Sequence, residues 1–212
     1  MTIPRYIYVL PMLSTSSWGL SIVGGKVLSN NGFSAIEIVF GRFLIASLIF
    51  IPLLLVLSRN RDDIIPSKEM WLPLIGLSIT GVSINNVIFY AGLGLTDASI
   101  ASLLVSINPL ATMLSAAILL NEKMTSRKYL SVILGMIGVA IVIGFGANAG
   151  NIKGNLLILV AVTIWGASFS FSKISSDYGL SSIAITGWSV IIGTFTLLPF
   201  VKNRSSYLHF VV

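Results

Sequence analysis

The sequence predicts an all-α integral membrane protein with about seven transmembrane helices, and three observations carry that prediction. Only 9% of the 212 residues are charged and 55% are hydrophobic, whereas an ordinary soluble domain is about 25% charged. Mean hydropathy is +0.96, as expected of a chain solvated largely by lipid, where a charge facing hydrocarbon is costly. Apolar runs about 17 to 26 residues long recur along the chain, each near the roughly 20 residues that a helix needs to cross the bilayer. Transmembrane strands would alternate polar with apolar residues over about 10 positions, which these continuous runs do not do.

The first run, Tyr6 to Gly25, follows Arg5 as the hydrophobic core of a signal peptide would. It is too long for that role, carries Pro11, lacks a small-x-small cleavage site and is followed by six more runs. The others are Ile38 to Leu57, Met70 to Leu95, Ala98 to Leu120, Tyr129 to Phe145, Leu156 to Ser172 and Ile183 to Val201. Thr96 and Asp97 alone join the third to the fourth, with Asp97 expected as the helix N-cap, and Thr125 or Ser126 is expected to cap the fifth. Ser131, Gly135 and Gly138 give the fifth span a small-residue face suited to close helix packing.

Lys and Arg near the ends of short loops set orientation. With a cytoplasmic N-terminus, Arg59, Arg61 and Lys68, and then Lys123, Arg127 and Lys128, fall inside, whereas the opposite loops hold only Asp97 and Lys153. Lys26 is expected to reach the headgroups from the end of the first span. Lys202 and Arg204 run against this count. The net charge of +6 is thereby explained by membrane orientation, and no nucleic-acid partner is expected. With no cysteine and one histidine, His209, disulfides, thiol chemistry, cysteine metal sites and most histidine catalysis are excluded. Motifs for zinc proteases, intramembrane aspartyl pairs, serine–histidine catalysis and phosphate loops are absent, so an enzyme is not expected, and neither is a catalytic residue, a metal or a cofactor.

Sliding the chain against itself by 147 positions aligns Trp18–Pro52 with Trp165–Pro199 without a gap, with 11 of 35 positions identical. Trp18 pairs with Trp165, Gly19 with Gly166, Lys26 with Lys173, Gly32 with Gly179 and Pro52 with Pro199. A repeat unit of five helices is odd in number, so the second copy enters the membrane from the opposite side as an inverted repeat. The expected domains are 1–147, a complete five-helix repeat, and 148–212, the first two helices of a second.

The stretches SSWGLSIVGGKVLSNNGFSAIEIVFGRFLIAS and NNVIFYAGLGLTDASIASLLVSINPLATMLSAAILLNEKMTSRKYLSVILGMIGVAIVIG resemble the EamA-type domain of the drug/metabolite transporter superfamily. The elements that carry the resemblance are Trp18-Gly19, Arg42, the turn through Thr96-Asp97-Ala98, Asn108-Pro109, and Glu122 followed by Gly135 and Gly138-Val139. It extends over residues 5 to 201 and implies a ten-helix carrier of two inverted five-helix repeats with both termini cytoplasmic, moving amino acids, nucleotide-sugar-like metabolites or drugs. This chain departs from that pattern in holding only two helices of the second repeat. The offset of 147 would place the end of a second fifth helix at position 292, which is 80 residues past Val212.

A carrier needs a few polar groups at bilayer depth facing a cavity. Asn85, Asn86 and Tyr90 share one face of the third span and are expected to bind a polar solute, interhelical hydrogen bonding being the plainer role. Asn108 precedes Pro109 in the middle of the fourth span, where proline frees a backbone carbonyl, so Pro109 is read as a structural kink and Asn108 as a cavity element. Trp18 and Trp165 are placed at matching depths as an aromatic wall, with Ser21 and Ser168 three positions further on the same faces. Arg42 is read as structural, meeting a carbonyl or another helix, because Glu37 is five residues away and poorly spaced for pairing. Glu122 is read as stabilising the turn into the fifth span. The absence of Asp or Glu from the middle of every span argues against simple proton-coupled export. The expected function is a secondary carrier for a small metabolite, amino acid or drug, working by alternating access around a midplane site in the cell membrane. Its expected partners are the lipid bilayer, the solute and a second copy completing the cavity. The rival is a truncated, non-transporting scaffold.

Overall fold

The computed structural model describes residues 6–58, 61–144 and 151–201. Arg5, Arg59, Lys202, Arg204, His209 and the boundary expected at 147/148 lie outside them. Every regular element among the described residues is helical. Five helices, Ala35–Leu57, Lys68–Leu95, Ala98–Leu119, Ile152–Asp177 and Ser182–Phe200, are long and apolar enough to cross a membrane. The other two expected spans appear as helices Tyr6–Asn30 (α1) and Ser126–Gly144 (α8).

Short local devices set the helix ends. α1 stops where Gly32 takes a left-handed φ of 87°, and the Phe33 amide donates back to the Leu28 carbonyl at 3.2 Å, a glycine-terminated C-cap. α2 (Ala35–Leu57) begins at once in a capping box, with Ser34 N donating to Glu37 Oε2 at 2.8 Å and Glu37 N donating to Ser34 Oγ at 3.3 Å. Glu37 is thereby engaged at the helix start. The same turn recurs 147 residues later. Gly179 has φ 92°, the Leu180 amide donates to the Ser175 carbonyl at 3.4 Å, and the Ser181 hydroxyl caps Ala184 N at 3.2 Å.

A short helix α3 (Arg61–Ile64) precedes the third span, which is not one uniform helix: α4 (Lys68–Leu77) passes through a π-helical segment, Ser78–Ser83, into α5 (Ile84–Leu95). The fourth span is broken into α6 (Ala98–Val105) and α7 (Asn108–Leu119). This corrects the expectation for Pro109. It lies in the first turn of a new helix, where its missing N–H leaves no bond unmade, and not at a kink within a continuous one. Asp97 occupies the N-cap of α6 but its side chain makes no capping bond, whereas Thr125 Oγ1 accepts from Lys128 N at 3.4 Å at the start of α8.

α9 (Ile152–Asp177) is the central helix. It runs antiparallel to α4–α5, meeting Gly92 with Gly154, Gly81 with Ser168 and Gly76 with Phe171, and parallel to α6–α7, meeting Ala111 with Gly166. α10 (Ser182–Leu197), extended by a 3-10 turn Leu198–Phe200, packs antiparallel on α2, with Gly187 against Leu54 and Thr194 against Ser47. Val39, Leu93, Leu104, Ile158 and Val162 fill the centre with almost no exposed surface. The outward faces remain apolar, as for Leu72 and Ile118, which suits contact with lipid.

Cross-contacts tie the helix ends at each side. At one, Thr96 Oγ1 donates to the buried Asn155 Oδ1 at 2.7 Å. Here Lys26 does not reach outward as expected, because its ammonium donates to the carbonyls of Leu93 at 2.9 Å and Thr96 at 2.7 Å, closing the C-terminal end of α5. At the other, Asp63 Oδ1 accepts from Ser181 N at 2.9 Å and Trp188 Nε1 donates to the Asp63 carbonyl at 3.0 Å.

Candidate functional site

The cavity at the centre of the bundle has a volume of about 250 Å³. Helices α1, α2, α5 and α9 and the π-helical segment supply its walls, among them Trp18, Arg42, Phe43, Gly81, Asn85, Asn86, Phe89, Tyr90 and Trp165. Five of the eight residues expected to bind solute therefore meet in one space. Trp18 and Trp165, from antiparallel helices, place their ring centroids 5.4 Å apart. Each is followed by glycine, but only one glycine brings the bundle close: a Cβ at Gly166 would stand 2.5 Å from the carbonyl carbon of Ala111, whereas Gly19 faces open space.

The π-helical segment aims the amides. Asn86 Nδ2 donates to the carbonyls of Gly81 and Val82, both at 3.0 Å, which a wider turn leaves within reach, and to Asn85 Oδ1 at 2.8 Å. Asn85 is buried, and its own amide nitrogen has no partner among the described residues.

Tyr90, also buried, has a hydroxyl that is engaged. It bonds Ser21 Oγ at 3.1 Å, lies 3.3 Å from the Ser21 carbonyl, and accepts from Nη1 of Arg42. The phenol is thus an anchor, and Ser21 acts on the cavity through it. Arg42 meets another helix, as expected, through the Tyr90 hydroxyl of α5, and not through a carbonyl. Its guanidinium carbon lies 5.2 Å from the Tyr90 ring centroid and 5.8 Å from that of Phe43, and both ion pairs among the described residues belong to Glu122. A guanidinium at bilayer depth costs about 3 kcal/mol on insertion scales, so its position on a cavity wall, packed on two aromatic rings, is the compensation available.

Ser168 and Asn108 do not line this cavity. Ser168 Oγ donates to the Trp165 carbonyl at 2.7 Å and borders a second cavity of about 320 Å³, which shares Gly81 and Trp165 with the first. This second chamber is lined by Trp165, Phe169, Ser189 and Val190, the residues 147 positions after Trp18, Ile22, Arg42 and Phe43 of the first. Asn108 starts α7, and its Oδ1, like Ser170 Oγ, is buried without a hydrogen-bond partner among the described residues. Glu122 bridges Lys173 of α9 at 3.3 Å and Lys128 of α8 at 3.5 Å. The hydrogen bond and charge of Lys173, aided by Lys128, hold its carboxyl below the ordinary value. No group of three or more potential metal ligands occurs among the described residues.

Among the wall residues that sequence reasoning missed are Phe43, Gly81, Phe89 and Ser189, and it reads Arg42 as structural. One signal was available for two of them, since the 147-residue offset equates Arg42 with Ser189 and marks both as facing the same kind of space.

A bundle of helices long and apolar enough to cross a membrane, around a cavity whose largely apolar wall carries Arg42, Asn85, Asn86 and Tyr90, defines the class of a multi-pass membrane protein. The chain belongs to the EamA-like transporter family, whose family model matches residues 5–144 and 152–208. It is 26% identical over 197 residues to an uncharacterized transporter of Archaeoglobus fulgidus, a match covering 92% of this chain and 67% of the relative. It is 27% identical over 154 residues to the uncharacterized transporter YoaV of Bacillus subtilis, covering 71% of this chain and 52% of the relative. A probable terminal-alkyne amino-acid exporter of Streptantibioticus cattleyicolor is 30% identical over 131 residues, covering 60% of this chain and 43% of the relative. The chain thus spans two thirds or less of the length of these relatives. No solved structure matches it.

Proposed function

We propose that the chain is the substrate-holding part of a secondary carrier in the cell membrane, moving a small metabolite, amino acid or drug by alternating access around the central cavity. The observation that carries this reading is the meeting of Trp18, Arg42, Asn85, Asn86, Tyr90 and Trp165 around one space at the junction of antiparallel helices. Supporting it, repeat-equivalent residues touch one another: Trp18 meets Trp165, and Ser47 Oγ lies 2.9 Å from Thr194 Oγ1. A residue that contacts its own equivalent lies near a pseudo-two-fold axis, the symmetry by which an inverted repeat exchanges its inward- and outward-open forms. In this reading 1–147 and 148–212 are the two repeat units, seven helices span the bilayer, and Asn85 and Asn86 bind solute while Pro109 and Glu122 maintain the frame. The name of the amino-acid exporter among the relatives supports amino acids as one candidate class. No cofactor, enzymatic activity or nucleic-acid partner belongs to this reading.

Uptake of a radiolabelled metabolite panel into proteoliposomes is the test. Saturable flux of at least one solute is expected, and none from protein shown to be folded would sink carrier activity for this chain. The rival reading is a non-transporting scaffold, and a variant of the carrier reading has a second copy complete the cavity. Crosslinking in native membranes separates them, since a transporting dimer yields a crosslinked pair and an inert monomer does not.

The proposed orientation has a cytoplasmic N-terminus. It is supported by the approach of Asp63 to Ser181 and of Glu122 to Lys173, which gather the basic loops on one side. With no native cysteine to interfere, Ser67→Cys and Ser126→Cys are expected to react with an impermeant thiol reagent from the cytoplasmic side only. Labelling from outside would reverse the assignment.

A further inference from the structure

Among the polar groups of the central cavity, hydrogen-bond donors are left over and a negative charge is missing. Arg42 supplies the positive charge of the cavity wall. Its Nη1 is held by the Tyr90 hydroxyl, which is itself anchored on Ser21, so the guanidinium is fixed in place. Its two remaining nitrogens have no partner among the described residues, and no acidic residue lines the cavity. Beside it the Asn85 carbonyl is occupied by Asn86, and the Asn85 amide nitrogen is unpaired among the described residues.

We propose that this cavity is a carboxylate site: Arg42, positioned by Tyr90 and assisted by Asn85, holds the carboxylate of a small organic acid whose apolar remainder lies against Trp18 and Trp165. The proposal rests on the carrier reading for its role in transport, but the site itself does not depend on flux. A planar carboxylate takes two parallel N–H bonds from a guanidinium fork and supplies the missing charge. A cationic solute would be repelled, and a neutral one would leave the guanidinium desolvated and unpaired. The paired indoles offer apolar surface, which a solute hydrated on all sides, such as inorganic phosphate, does not use. The volume of about 250 Å³, below the range of about 300 to 1,000 Å³ of drug-sized pockets, accommodates an acid the size of a single amino acid. Polarity also runs along the path. The second chamber carries Ser189 where the first carries Arg42, so the charged end of the solute belongs to the first.

The test uses the whole chain in lipid nanodiscs, with titration calorimetry of 3-phenylpropanoate, the isosteric neutral 3-phenylpropanamide, 2-phenylethylamine and inorganic phosphate. Flux of the same solutes is followed in proteoliposomes. The acid is expected to bind about tenfold or more tighter than the amide, with no binding of the amine. In Arg42→Gln the acid is expected to bind about tenfold weaker, bringing the ratio of acid to amide near one, with folding checked separately by the helical circular dichroism and unfolding midpoint of the variant. Arg42→Lys keeps the charge without the fork, and an intermediate ratio is expected. Absence of acid-selective binding in the wild type, or a preference unchanged in Arg42→Gln, overturns the inference. Phosphate binding tighter than the acid overturns the carboxylate assignment in favour of an oxyanion site. Acid-selective binding without saturable flux leaves the site standing and overturns the carrier reading, so the two fail separately.

Discussion

Tyr90 shows how much one side chain carries in this bundle. A phenol at bilayer depth on the face of two asparagines reads as a solute ligand, yet its hydroxyl joins α1 to α2 through Ser21 and Arg42. Its ring also fills the space beside Gly25, where an added Cβ would collide with Tyr90 Cε1. Tyr90→Phe keeps the ring and removes the anchor. Interhelical hydrogen bonds in membranes average about 0.6 kcal/mol, and three are lost here, so a destabilisation of about 2 kcal/mol is expected as a lowered unfolding midpoint in mild detergent. No change in that midpoint would show the hydroxyl to be idle. Arg42 was legible in the sequence as a charge needing compensation, but its nearest acid, Glu37, is engaged in a capping box. Residue spacing alone does not reveal that competition.

Breaks and small residues decide the shape of the elements. Hydropathy reports the third and fourth spans as single runs, because a π-helical segment and a helix break leave composition untouched. Both irregularities occur where α4–α5 and α6–α7 flank α9, and the first of them widens a turn so that Asn86 reaches two carbonyls at once. Close approach depends on glycine. At Gly166 a methyl group would meet the backbone of Ala111, which has no side-chain freedom to yield, so Gly166→Ala is expected to destabilise by about 1 to 3 kcal/mol. Gly19→Ala, at the equivalent position in the other copy, faces open space and is expected to be neutral. Thermal unfolding of the two variants side by side checks the pair, and equal effects would mean that α7 and α9 are not in backbone contact. The sequence repeat marked both glycines alike, since it records ancestry and not which neighbour is present.

At the scale of the molecule the 147-residue offset recurs in local structure as well as in sequence. Equivalent turns carry the same left-handed glycine, serine cap and backward amide bond, and equivalent residues meet across α2 and α10. The Ser47–Thr194 contact makes a direct check possible in a chain without cysteine. Ser47→Cys with Thr194→Cys is expected to form a disulfide under mild oxidation, seen as a two-proton loss of mass, because the hydroxyls it replaces lie 2.9 Å apart. Failure to form it would place α10 elsewhere. Locking this contact is also expected to abolish flux if the repeat units must rock against one another around it, which the uptake assay reads.

By itself the sequence determined that the chain is a multi-pass membrane protein of the EamA-like family, that it is helical, and that two stretches 147 residues apart share the same helix-end signals. These follow from local rules: length of apolar runs, charge placement, capping residues and self-similarity. Only the tertiary structure decided that Trp18 and Trp165 touch, that Tyr90 is spent on Arg42, that Lys26 closes α5 instead of reaching outward, and that Ser168 belongs to a second chamber. Each of those outcomes is a competition among partners distant in sequence for one donor, one acceptor or one volume. Spacing along a chain does not encode the winner.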